Sequence, residues 1–172
     1  MSDLMQASEM GFYKQISDLL ADARRFAKRQ LDSTIVATYY EMGRMIVERE
    51  QQGQQWAQYG KNLIKELCEY LTARYGRGFS VANLKSIRKS YRMYVPAISQ
   101  TTVGFSAENQ IGQTLSALFR LSWSQYQLLM RIDNADARRF YEIEAINQQW
   151  SYRALQWQVD SSLYERRKIF YM

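Results

Sequence analysis

There is no histidine among the 172 residues and only one cysteine, Cys68. The first absence removes Ser-His-Asp triads, imidazole general bases and every histidine-containing metal site. The second removes thiolate zinc sites and any intramolecular disulfide, which suits a reducing compartment; a cytoplasmic location is expected. Proline occurs once, at Pro96, and glycine eight times, so long stretches run without a breaker and favour helix over sheet. No run approaches about 18 apolar residues free of charge, so no transmembrane helix and no membrane partner are predicted. The opening MSDLMQASEMGF carries acids and no apolar run, unlike a secretory signal. Hydrophobic residues still make up 47% of the chain, enough for a folded core in one domain or two small halves.

The most local absence is of negative charge. Lys plus Arg is 23 and Asp plus Glu is 17, a net charge of +6. Between Tyr70 and Ala107 there is no acid, while Arg74, Arg77, Lys85, Arg88, Lys89 and Arg92 all fall there. The whole net charge therefore belongs to one stretch. At 100° per residue, Lys85, Arg88, Lys89 and Arg92 share one arc of a helix, and Leu84, Ile87, Tyr91, Tyr94 and Val95 share another. Lys85/Lys89 and Arg88/Arg92 are like-charged i,i+4 pairs with no acid in the window to relieve them. A bland solvated face normally mixes signs, so an anionic partner is the favoured reading. Phe79 and Ser80 supply a staple and an N-cap closing on Leu84, and Pro96 is expected to stop the helix.

Taken in order, residues 1–11 read as a flexible leader. Phe12, Ile16, Leu19, Leu20, Ala23, Phe26, Ala27 and Leu31 form a helical stripe, and Ile35, Tyr39, Met42 and Ile46 form a second beyond a kink or restart near Asp32-Ser33. Gly43, inside that helix, costs about 1 kcal/mol against alanine and implies close approach of another helix. A third helix is predicted from Trp56 to Tyr75 with Cys68 on its packed face. Gly76-Arg77-Gly78 then turns the chain into the cationic helix, making residues 61–95 a helix-turn-helix candidate. Residues 97–113 read as a loop. A short-helix subdomain is expected over 114–166, with starts at Trp123-Ser124-Leu128, where Gln127 completes a capping box, at Asp133-Asn134, and at Trp150-Ser151-Leu155. Asp133-Asn134 opens a helix whose stripe is Ala137, Phe140, Ile143 and Ile146; the last helix carries Tyr152, Leu155, Val159 and Leu163. Residues 167–172 are a tail. The fold class is all-α, with residues 12–166 as a single helical domain.

Several segments then resemble, in order and spacing, the N-terminal domain of the YhcG-type PD-(D/E)XK nuclease family. They are Tyr39-Tyr40-Glu41-Met42-Gly43 with Ile46 and Glu48; Trp56; Gly78-Phe79-Ser80-Val81-Ala82-Asn83-Leu84 with Arg88 and Tyr91; Leu121-Ser122-Trp123-Ser124; Arg138-Arg139-Phe140-Tyr141; Trp150-Ser151-Tyr152-Arg153-Ala154-Leu155; and Leu163-Tyr164-Glu165-Arg166. The resemblance implies a helical DNA-binding domain placed before a nuclease, in bacterial proteins linked to restriction, defence or mobile DNA. The chain departs from the family in Trp56-Ala57, where Trp-Gly is frequent, and in ending where the nuclease domain would begin. The Asp/Glu-x-Lys step of a PD-(D/E)XK site is absent: the residues two before each lysine are Phe12, Phe26, Tyr59, Leu63, Asn83, Ile87 and Arg166.

The expected function is therefore non-catalytic binding of duplex DNA, with no metal and no cofactor. Lys85, Arg88, Lys89 and Arg92 would meet phosphates or guanine edges, Arg74 and Arg77 the flanking backbone, and Ser80 would cap a helix whose amides can take a phosphate. Gly43, Gly78, Phe79, Asn83, Leu84, Trp123 and Trp150 are expected to be structural. The alternative is a protein-interaction module, whose partners would be a second copy, a nuclease domain or a restriction-system subunit.

Overall fold

The computed structural model of the chain describes residues 2–52, 57–101 and 116–170. Every regular element among them is helical, as the all-α expectation requires. Three long helices come first: α1 (Ser2–Gln52), α2 (Ala57–Tyr75) and α3 (Val81–Thr101). After a helical turn at 116–118 come four short ones: α4 (Trp123–Leu129), α5 (Ala135–Asn147), α6 (Tyr152–Asp160) and α7 (Leu163–Phe170).

The second half of α1 is the spine. At one end, Ile46 meets Ile64 of α2 and Leu84 and Ile87 of α3 in a small core. Beside it, Val36, Ala37 and Tyr40 join Tyr94 and the short helices in a larger one, which includes Phe119, Tyr126, Leu129, Ala145 and Leu155. Aromatic rings tie this core together edge to face: Tyr94 on Tyr126 at 5.5 Å, and Phe119 on Tyr126 at 5.4 Å. The helices α1 and α3 approach closely at Gly43, where an added Cβ would lie 2.5 Å from the Ile87 carbonyl oxygen.

Local caps explain where the short helices begin. Asn134 accepts hydrogen bonds from the amides of Asp136 and Ala137, and Ser151 from that of Ala154. At the start of α4 the register differs from the sequence expectation. The capping residue is Ser122, not Ser124, and Gln125, not Gln127, reaches back to accept the Ser122 amide hydrogen at 3.0 Å. Gln125 also donates to the Trp150 carbonyl, a tertiary contact that local spacing does not reveal.

Other expectations are corrected. Residues 2–11 are not a loose leader but the start of α1, which also passes Asp32-Ser33 without a break. There Lys28 pairs with Asp32, and the Thr34 hydroxyl returns a hydrogen bond to the Gln30 carbonyl within the helix. The first stripe of α1 is not core: Phe12, Ile16, Leu19, Leu20, Phe26 and Leu31 are all exposed. Helix α3 continues through Pro96 to Thr101, although an interior proline loses its amide donor and crowds the carbonyl four residues back, at a cost of about 3 kcal/mol. The expected loop therefore begins later than residue 97, and its remainder, like Trp56, lies outside the described residues. In α5 the buried residues are Ala137, Tyr141 and Ala145, while Ile143 is exposed. The final helix is two, divided near Ser162, whose φ of 54° is left-handed, and α7 takes up much of the expected tail.

One partly buried carboxyl carries a pH signature. The Tyr126 hydroxyl donates to the Glu142 carboxylate at 3.1 Å. Burial raises the Glu142 carboxyl above its ordinary value, against the opposing influence of Tyr126, Arg138 and Arg139. Folding thus favours the protonated acid. Its contribution to stability is full below the unfolded value near 4.5 and is lost as pH rises through the raised folded value. Glu142→Gln keeps an acceptor for Tyr126 without that loss. The variant is expected to melt a few degrees higher than the parent at neutral pH, and this advantage should vanish in calorimetry at about pH 4.

Candidate nucleic-acid interface

The cationic window folds into the end of α2, a turn and α3. Gly76 donates its amide to the Thr72 carbonyl and closes α2. Gly78 has φ of 122°, a conformation open to glycine and strained for any other residue. Its carbonyl accepts from the Asn83 side chain at 2.7 Å. The Ser80 hydroxyl accepts the Asn83 amide hydrogen and caps α3, with Leu84 fully buried beneath and Phe79 packed beside it.

Asn83 is the hub of this region. Its side-chain oxygen accepts from the Trp123 indole at 2.8 Å and from Gln127 at 3.0 Å, while its nitrogen holds the turn. One side chain thereby fixes the turn, the start of α3 and α4 relative to one another. Trp123 also sets its ring edge to face against Tyr39 of α1. Trp150 packs at the margin of the larger core and offers its carbonyl to Gln125.

The four cations of α3 have separate surroundings. Arg88 and Arg92 both bond to Glu50 of α1, at 2.6 and 3.0 Å. The expectation of an unrelieved cluster is therefore corrected: a carboxylate 38 residues away, with its side chain 12% exposed, lies between the two guanidiniums. One anion between two cations still leaves one positive charge over. Lys89 donates to the Met130 carbonyl at 2.6 Å, just past the end of α4, a contact that cancels no charge. Lys85 is exposed and has no hydrogen bond or ion pair among the described residues. Arg77 is exposed in the turn, and Arg74 lies over the Tyr75 ring at 5.9 Å.

Between α3 and α4 runs an open groove of about 390 Å³, lined by Ser80, Ala82, Asn83, Ser86, Lys89, Gln127, Met130 and Arg131. Glu50 and Arg131 are the residues that sequence reasoning missed. Neither has a local signal, since each is brought to α3 by packing between segments about 40 residues apart. Ser80, Asn83 and Lys89 come together along the groove; Arg88 and Arg92 turn to the opposite flank, toward α1. Among the described residues no group of three Asp, Glu or Cys could hold a metal ion, and no helix is long and apolar enough to cross a membrane.

This assembly of three long helices and a short-helix cluster defines a class. The chain belongs to the DUF1016 N-terminal domain family, whose pattern matches residues 15–166. It is similar to an Escherichia coli (strain K12) protein named "Putative nuclease YhcG", with 41% identity over 96% of this chain. The chain spans 49% of that relative's length. No solved structure matches the chain.

Proposed function

We propose that this domain binds duplex DNA without cutting it, and in a longer protein would bring a nuclease to its substrate. The observation that carries the reading is the charge of the turn and of α3. Arg77 and Lys85 stand exposed, Arg92 keeps 56% of its side chain exposed despite Glu50, and Lys89 and Arg131 line a groove beside the start of α3. The window between Tyr70 and Ala107 holds no acid, Glu50 of α1 offsets one of the α3 charges, and the partial positive charge of a helix N-terminus adds to those that remain. The α2–turn–α3 unit would serve as a helix-turn-helix, and the turn would lie along the phosphate backbone. The nuclease relationship of the E. coli protein supports DNA as the anion. The missing Asp/Glu-x-Lys step supports a targeting rather than a cutting role.

The test is affinity for duplex DNA across a salt series. Glu50 cancels one of the four α3 charges, so three phosphate contacts from that helix predict a log–log slope of about −2.7. Lys85→Ala with Lys89→Ala should flatten the slope by about 1.8 and weaken binding on all sequences alike. Affinity indifferent to salt, or unchanged in the double variant, would end this reading.

The alternative, a module that docks a nuclease or restriction-type partner, draws on a different observation: the exposed apolar side chains along the first half of α1.

A further inference from the structure

The 51 residues of α1 make a rod of about 76 Å at 1.5 Å per residue. Among the residues whose burial is described, its buried positions begin at Val36. Ahead of them, Phe12, Tyr13, Ile16, Leu19, Leu20 and Phe26 are 44–66% exposed. Phe12, Ile16, Leu19, Ala23 and Phe26 recur at spacings of 4, 3, 4 and 3, the seam of a coiled coil, and lie within about 80° of the helix surface. Tyr13 and Leu20 widen one edge, and no charged residue interrupts the arc between Phe12 and Phe26. The buried face of the second half, centred on Val36, Tyr40 and Val47, is turned by about 100° from this stripe. The domain's own core therefore cannot cover it by extending along the helix.

We propose that this stripe is the contact for a second copy of the chain, with the two α1 helices packed antiparallel about a centre between Ile16 and Leu19. In that register Phe12 lies opposite Ala23 of the second copy and Ile16 opposite Leu19, so the four central layers pair large with small or two side chains of similar size, while Phe26 falls opposite Glu9 at the end of the seam. Tyr13 meets Leu20 at the edge. A parallel, in-register pair would instead stack Phe12 and Phe26 on themselves and leave a gap at Ala23, costs of overpacking and of a cavity together. Antiparallel packing also keeps the two folded bodies at opposite ends. The exposed apolar area on the stripe is roughly 700 Å² per copy, close to what a stable protein interface buries on each side. The opposite face mixes Asp18, Asp22 and Asp32 with Arg24, Arg25, Lys28 and Arg29, which suits water and the flanks of a helix pair better than an anionic lipid surface.

The experiment is sedimentation equilibrium of the full chain over the micromolar range. A monomer–dimer equilibrium is expected, weakened by about a hundredfold or more in Ile16→Glu/Leu19→Glu and unchanged in Lys14→Glu on the outer face. Circular dichroism melting checks that the cores at the far end of α1 survive the double substitution. Phe12→Cys and Ala23→Cys, each in a Cys68→Ala background, should cross-link to one another on mixing and oxidation. A wild-type monomer throughout the range, or a dimer untouched by the double substitution, would overturn the proposal, and Phe12→Cys cross-linking only to itself would overturn the antiparallel arrangement.

Discussion

Gly43→Ala is expected to lower the melting temperature by roughly 6–12 °C, a loss of about 3 kcal/mol in a chain of this size. The added methyl would sit 2.5 Å from the Ile87 carbonyl oxygen and 2.9 Å from the Tyr91 Cβ. Neither neighbour is the free end of a side chain. Ile87 contributes backbone, and a Cβ moves only if α3 moves. Relief therefore requires α1 and α3 to separate along their contact, which opens both cores because each lies on one side of this crossing. Helix propensity works the other way, since alanine is favoured over glycine by about 1 kcal/mol inside a helix. Gly11 provides the control. It lies in the same helix with nothing within 4 Å of an added Cβ, so Gly11→Ala should be neutral or stabilising. Thermal melts of the two variants separate close approach from propensity, and a Gly43→Ala protein as stable as the parent would show that the two helices are not held so near.

Leu84→Ala is expected to cost about 3 kcal/mol and, if the proposed DNA binding holds, to weaken it without changing its salt slope, unlike removal of a lysine. Leu84 is fully buried, packed with Ile46, Ile64 and Ile87 where the first three helices meet. Deleting its isobutyl group leaves a cavity directly under the first turn of α3. Ser80, which caps that turn, and Asn83, which ties it to Trp123 and Gln127, would lose the surface against which they are set. The cations would keep their charge and their phosphate contacts, while the frame that holds them would loosen and cost affinity. Chemical denaturation measures the first effect, and a salt series on the variant measures the second. A shallower slope in Leu84→Ala would mean that the cavity had displaced a phosphate contact as well.

The distribution of these effects reflects what could be read from residue order. The turn and start of α3 were legible because their determinants are local: Gly78, Ser80 and Leu84 act within a few residues of one another. So was the close approach at Gly43, since a glycine inside a long apolar stripe has few other uses. The partner of that approach was not legible, because Ile87 and Tyr91 face Gly43 only once α3 has folded back along α1. Ser122 and Ser124 illustrate the limit at short range. Both are plausible caps two residues apart, and the choice between them fell to Gln125, whose amide reaches Trp150 from another segment.

By itself, the residue sequence determined an all-helical chain, its family, and a window in which every charge is positive, because composition, periodicity and caps act along the chain. Only the tertiary structure decided how those charges are used. It set Glu50 between Arg88 and Arg92, turned Lys89 onto the Met130 carbonyl, and left Lys85 in the open. It also decided which apolar stripe of α1 is covered, since periodicity marks a face as apolar but says nothing of what is near enough to bury it. The physical reason is the same in both cases: an ion pair and a buried contact depend on distance in space, and packing alone brings residues tens of positions apart within reach.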